Sequence, residues 1–435
     1  MAYDQEEIYV RTVEPKLDVH EKPQPKDALL LSIQHLFAMF GATVLVPYLT
    51  GLPVSATLIA SGIGTLLYIM ITKGKIPAYL GSSFAFIFPI TIALQSNSLG
   101  EVLTALFFSG VVYVVIGIII RFVGVDWLMK LLPPIVVGPV IMVIGLGLAP
   151  VAVNMAMYEN PNDMTGYNIT YITVALITLG ITVLGSIFFK GVWGLIPILI
   201  GIVGGYITAV LFGIVDFTVI KETSWLQLPE VHVPFIDYSP QINLGLFLVM
   251  LPIVFVTISE HIGHQVVINK IVGKNFFKDP GLHRSLVGDG VATMFSSVIG
   301  GPPTTTYGEN IGVLAITRIF SVWVIGGAAV IAVILGFIGK FTAVITSIPS
   351  PVMGGVSILL FGIIASSGLR TLIDAKVDFD NKRNLVIASV ILVIGIGKAH
   401  LDFVIGQIPF NLEGMALAAF IGIVLNLILP KGENE

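Results

Sequence analysis

Uncharged stretches, each about as long as a membrane-crossing helix, recur along this 435-residue chain. Val102 to Ile120 and Ile319 to Phe337 are two of them. A hydrocarbon core of roughly 30 Å takes about 20 residues of helix. Within it, backbone N–H and C=O groups must be bonded internally, which leaves helices or closed barrels. The blocks are too many to share one buried core, so the predicted fold class is an all-α polytopic membrane protein. Only 11% of residues are charged, against about 25% in soluble domains. The 46 glycines and 24 prolines are tolerated in transmembrane helices. The lack of cysteine excludes disulfides, thiolate nucleophiles and Cys-based metal sites. Residues 1–27 are polar and mixed in charge, which predicts a short cytoplasmic tail rather than a signal peptide.

Fourteen apolar segments are expected, at 28–50, 53–72, 78–95, 99–121, 133–155, 168–188, 191–214, 243–268, 284–299, 304–318, 319–343, 351–370, 384–398 and 412–430. The third, ninth and tenth are short and interrupted by Gly, Ser, Thr or Pro. With this count, all Lys and Arg except Lys221, Lys340 and Lys398 fall on one side. The positive-inside rule makes that side, with both termini, cytoplasmic. Pro134, Gly138 and Gly145 recur as Pro351, Gly355 and Gly362, about half a chain later. Seven spans per half is odd, so the second half would enter upside down, as an inverted repeat.

Ionisable residues inside spans are costly and few. The eighth segment carries Ser259-Glu260-His261-Ile262-Gly263-His264, where Glu260 and His264 share a helix face. The tenth carries Thr304 to Asn310, including Tyr307, Gly308 and Glu309; the third carries Gly81-Ser82-Ser83-Phe84; the first carries Gln34-His35. The third and tenth correspond in the two repeats and are expected to be broken helices whose free N–H groups face a midplane site. Carboxylates there would accept ligand N–H groups, and backbone N–H groups would donate to ligand carbonyls. Phe84 or Tyr307 could pack on a ring. Uracil, xanthine and other oxopurines all fit that pattern. His261, Gln34 and His35 read equally as groups that bridge helices, His264 as a group that orients Glu260, and Asp289 as structural or coupling.

Glu309-Asn310-Ile311-Gly312 through Thr317-Arg318 resembles the signature of the nucleobase–ascorbate transporters, or nucleobase:cation symporter family 2. Gln34-His35, Gly81-Ser82-Ser83-Phe84 and Glu260-His261-Ile262-Gly263-His264 resemble its other motifs, in order. The resemblance runs from about Pro25 to Pro430 and is closest to the uracil-carrying bacterial branch. It implies two inverted repeats of seven helices with short antiparallel strands in spans 3 and 10. The core domain would be 28–125 and 241–345, the gate domain 126–240 and 346–430, and 431–435 a C-terminal tail. It also implies proton symport, an elevator-type motion and a homodimer in the cytoplasmic (inner) membrane.

Carried over by motif, Glu260 and Glu309 would bind uracil, the backbones of Phe84 and Gly308 would donate to its carbonyls, and His264 would lie near the ring. Ser83, Tyr307, Asn310 and His261 would surround them. Phe361 stands where some relatives have tyrosine, which removes a hydroxyl from the gate side. Asp289 resembles an acidic position of the purine branch and leaves room for a broader range. Glu260, with His264 beside it, is the expected proton carrier. A protonated carboxyl is also cheaper to bury.

A xanthine or oxopurine symporter is the nearest alternative, and Glu309 argues against it. Facing carboxylates disfavour an anion carrier or channel. Glu260-His261-x-x-His264 has the wrong order for a zinc protease helix, so the chain is not expected to be an enzyme. The expected partners are uracil, protons and the lipid bilayer; no cofactor, metal or nucleic acid is expected.

Overall fold

The computed structural model describes residues 14–191, 193–405 and 408–430. The expected C-terminal tail, residues 1–13 of the N-terminal one, and the cations Arg11 and Lys431 lie outside them. The first half contains α1 (Pro25–Thr50), α2 (Val54–Ile71), β1 (Leu80–Ser82), α3 (Ile87–Ser96), α4 (Leu99–Val123), α5 (Asp126–Leu131), α6 (Pro134–Gly147), α7 (Ala149–Met157), β2 (Tyr158–Asn160), β3 (Thr165–Tyr167), α8 (Ile169–Phe188), α9 (Pro197–Leu211) and α10 (Thr218–Glu222). The second contains α11 (Leu244–Val272), α12 (Leu282–Val298), β4 (Thr304–Thr306), α13 (Gly308–Thr317), α14 (Val322–Gly336), α15 (Gly339–Thr346), α16 (Ser350–Asp374), α17 (Lys382–Ile396), β5 (His400–Ile405), β6 (Ile408–Glu413) and α18 (Gly414–Ile428).

Every expected apolar segment contains helix. Among the described residues, α1, α2, α4, the α6–α7 pair, α8, α11 and α16 are long and apolar enough to cross a membrane. The other seven segments hold shorter helices. Two of these are shortened because strands β1 and β4 take part of the segment. The segment at 319–343 breaks between α14 and α15. Large apolar side chains lie exposed along α4, α8 and α9, as lipid-facing surfaces require.

The helices pack in two sets. In one, α4 lies on α12, α2 on both α12 and α14, α1 on α14, and α11 on α4. In the other, α6 and α7 lie on α16, α8 on α9 and α16, and α17 on α6 and α18. Glycine brings backbones together within both. A Cβ on Gly110 of α4 would sit 2.7 Å from the Gly290 carbonyl of α12, and one on Gly145 of α6 would sit 2.3 Å from the Phe361 carbonyl of α16. Phe84 touches all three apolar clusters of the molecule, so it stands where the two sets meet.

The N-terminal segment is more than a polar tail. Lys16 and Phe320 exchange backbone bonds with Arg318 and Leu17, and Val322 N–H donates to the Val19 carbonyl. Val19 is buried, and Asp18 pairs with Lys274 at 3.0 Å. Residues 16–19 thus clasp the α13–α14 link to the end of α11.

Candidate substrate site

Local sequence explains the two central strands. Thr304-Thr305-Thr306 is β-branched, and Pro302-Pro303 before it cannot donate to a continuing helix. β4 pairs antiparallel with β1, Thr304 opposite Ser82 and Thr306 opposite Leu80. A three-residue ladder is not stable alone, and an open edge is not tolerated in hydrocarbon. Helix hydroxyls close both edges. Thr65 of α2 accepts from the Leu80 N–H at 2.9 Å and donates to the Leu80 carbonyl at 3.2 Å. Thr293 of α12 does the same for Thr304, at 3.1 and 3.4 Å.

Each strand leads into a helix N-terminus. After Ser83, β1 passes through a turn at Phe84–Phe86 into α3; after Tyr307, β4 enters α13 at Gly308. Neither junction has a side-chain cap, so first-turn N–H groups remain open to a ligand. Because the strands are antiparallel, the helices leave the ladder in opposite directions with their positive ends turned toward it.

α11 runs beside β4 and α13. His264 Nδ1 lies 2.9 Å from Thr306 Oγ1, and a Cβ on Gly308 would lie 3.3 Å from His264 Nε2. The imidazole therefore reaches from strand to helix start. It brings Glu260, one turn back on the same face, together with Glu309, the neighbour of Gly308. Gly308 and Gly263 are exposed, while Glu260, His264 and Glu309 are half-buried. No described side chain forms an ion pair with either carboxylate.

His261 turns the other way. Its Nδ1 lies 2.9 Å from Asp289 Oδ2 and its Nε2 2.6 Å from Ser285 Oγ. Ser285 also donates to Gln265 Oε1 at 3.1 Å and lies 2.7 Å from the Tyr68 hydroxyl. Thr304 Oγ1 donates to Asp289 Oδ1 at 3.3 Å. This network is fully buried and ties β4 to α11 and α12. His261 and His264 thus go to different elements, and among the described residues no three such ligands converge for a metal.

The remaining expected site residues differ in setting. Tyr307 was expected as a ring partner, yet it is buried. Its ring covers Gly81, where a Cβ would come within 2.3 Å, because only glycine leaves room there. Its hydroxyl donates to the Ser82 carbonyl at 3.0 Å and lies 3.2 Å from Thr43 Oγ1. Tyr307 thus locks the ladder. Ser83 is buried, donates its N–H to the Pro303 carbonyl at 2.8 Å and has an unpartnered hydroxyl. Asn310 donates to the His35 carbonyl at 2.9 Å, anchoring α13 to α1. Phe361 is buried on α16.

The sequence reading missed Ser285, Gln265, Thr293 and Thr65. A signal was present: His261, Gln265 and Asn269 on α11, and Ser285, Asp289 and Thr293 on α12, are polar stripes at four-residue spacing.

Residues 26–402 match the family model described as a permease family, Xan_ur_permease. The chain belongs to this family. The permease is 58% identical to the uracil permease of Bacillus subtilis (strain 168) over 420 residues, 96% of each chain. It is 47% identical to the uracil permease of Escherichia coli (strain K12) over 413 residues, 95% of this chain and 93% of the other. Its fold is similar to the transmembrane domain of the cyanobacterial bicarbonate transporter BicA, with a TM-score of 0.63 at 15% identity over 94% of this chain and all of that one. It is an integral membrane transporter, not an enzyme.

Proposed function

We propose that this permease takes up uracil with a proton, holding it between Glu260, Glu309 and the N-terminal ends of α13 and of the Phe84 turn. The observation that carries the reading is the 58% identity with a uracil permease along 96% of both chains. The site chemistry agrees. Two carboxylates without partners accept the ring N–H groups, and the open N–H groups of Phe84 and Gly308 donate to the two carbonyls. His264 stands against Gly308 and orients the ring. The same carboxylates repel anions, which separates this site from the anion chemistry of the BicA fold.

The reading extends to architecture. Fourteen segments form two inverted repeats. α4 packs on α12 as α14 packs on α2, and α8 packs on α9 and α16 as α17 packs on α18 and α6. Thr65 closes the first residue of β1 just as Thr293 closes the first residue of β4. The Pro-Gly recurrence supports this less. Gly138 and Gly145 meet α16, whereas Gly355 meets α8 and a Cβ on Gly362 would meet no other element within 4 Å. The set containing α1, α2, α4, α11, α12 and α14 would be the core, and the set around α6 and α16 the gate against which it moves in an elevator-type cycle. The side holding Lys221, Lys340 and Lys398 faces out, with both termini in the cytoplasm of a homodimer in the inner membrane.

Uptake of labelled uracil into cells lacking their own permease, with and without a protonophore, tests the reading. Uptake that collapses with the proton gradient is expected. No uptake, with the protein shown to be in the membrane, overturns the substrate assignment. Uptake indifferent to the protonophore overturns proton coupling.

A further inference from the structure

We propose that the seam between α1 and α9 holds one lipid acyl chain, so that a lipid tail is a component of the folded permease.

A groove of about 540 Å³ runs between the two helix sets. α1 of one set gives one wall, from Ile33 to Phe40, and α9 of the other gives the facing wall, from Leu199 to Ile207. The second half of α14 and residues 341–348 complete it. Leu36, Ile202 and Ile345 are buried, while Val203, Ile207 and Val344 are exposed, so the groove has a deep floor and an open rim. Beside it the two helices meet directly. A Cβ on Gly41 of α1 would come within 2.3 Å of Ile198 Cγ2, just before the α9 wall.

Chemistry and size select the occupant. Among the described residues, the groove presents only apolar surface. Tyr206 brings the one polar group to its lining, and that hydroxyl is bonded to Ser347 Oγ at 2.8 Å. An apolar cavity of about 150 Å³ stays dry, so water does not fill this one. The walls are eight and nine residues long, about 12 Å of helix. A further helix, 10–12 Å across, would need about 900 Å³ or more over that length. The groove is too small for a helix from a second copy. An acyl chain is unbranched, narrow and as apolar as the side chains around it. It is also what the rim faces. α1 is long enough to cross a membrane, and Ile33 to Phe40 lie well inside it, at hydrocarbon depth. Left empty, the groove would forfeit dispersion contacts along its whole lining. A tail there fills the space between the sets while Gly41 and Ile198 keep them in contact.

The test reconstitutes the full-length permease in phosphatidylcholine vesicles. A fraction of the lipid carries a photoactivatable diazirine in one acyl chain, and adducts are mapped by mass spectrometry. Leu36 and Ile202 are too buried for bulk bilayer to reach, yet they should be labelled alongside the exposed Val115 of α4 and Leu184 of α8. Val203→Trp fills the groove from its rim. It should abolish labelling of Leu36 and Ile202 and leave that of Val115 and Leu184. Its melting temperature should stay within about 2 °C of wild type; if it does not, Ile207→Phe on the same wall is the filler that decides. Labelling confined to exposed residues overturns the proposal. So does labelling of Leu36 and Ile202 that persists in the filled variant. The chain has no cysteine, so an intermolecular disulfide formed by Val203→Cys would place a second copy over the groove and also overturn it.

Discussion

Replacing Gly308 with alanine separates the site from the fold. A Cβ at this position would lie 3.3 Å from His264 Nε2 and near no other atom within 4 Å except Cε1 of the same ring. The empty protein can absorb that contact by a shift of a few tenths of an ångström. Alanine also favours a helix over glycine by up to about 1 kcal/mol, so thermal stability should be unchanged or slightly raised. The backbone N–H of residue 308 remains. What changes is the space in front of it, where a ligand carbonyl must approach. Overpacking by one methyl costs about 1–3 kcal/mol, and 1.4 kcal/mol is tenfold in affinity, so Kd for uracil should rise about 5- to 150-fold. Gly312→Ala is the control. It lies one turn further along α13 with nothing within 4 Å of its Cβ position, and it should bind as wild type. Calorimetric titration of the three purified proteins decides. If Gly308→Ala binds within twofold of wild type while wild type binds uracil, the ligand does not approach this helix end.

Glu309→Gln should weaken uracil binding by about tenfold or more, since a hydrogen bond to a charged group contributes about 1.5–3 kcal/mol; unchanged Kd in purified protein would remove Glu309 from the site. Glu260→Gln should abolish accumulation driven by a proton gradient yet retain equilibrium exchange in vesicles, and intact accumulation would move the coupling role elsewhere. Thr65→Val and Thr293→Val should each leave the N–H of one strand's first residue unbonded and lower stability by about 1–3 kcal/mol, with similar melting shifts; a large shift in one and none in the other would count against the two edges being equivalent.

The fold was legible where a physical cost forces a pattern. Long uncharged runs gave helices, and the Gly, Ser and Thr interruptions at Gly81 and Thr304 became the β1–β4 pair. Glu260 and His264 came together because helical spacing is local. Contacts between distant segments were not legible. Nothing in one sequence says that His261 meets Asp289, or that Asn310, 275 residues away, bonds to His35. Tyr307 shows the same gap: an aromatic at a site motif has two sides, and its ring turned to fill the space over Gly81. Residues 16–19 sit in a segment that reads as a free tail because their pairing partner, the strand-like link after Arg318, lies three hundred residues on.

The two carboxylates of the proposed site are not equivalent, and the difference bears on the roles proposed for them. Glu309 lies in the first turn of α13, where open N–H groups and the positive end of the helix favour negative charge. Glu260 lies in the interior of α11, whose N–H groups are taken up by the helix itself. No described side chain offers it a cation, and His264 is already bonded to Thr306. An isolated carboxylate in such surroundings is costly. A ligand N–H offsets part of that cost, and a proton offsets more of it. Under the proposed function, Glu309 therefore suits the role of fixed hydrogen-bond acceptor. Glu260 suits a group whose charge changes through the cycle, which is why Glu309→Gln should act on affinity and Glu260→Gln on coupling.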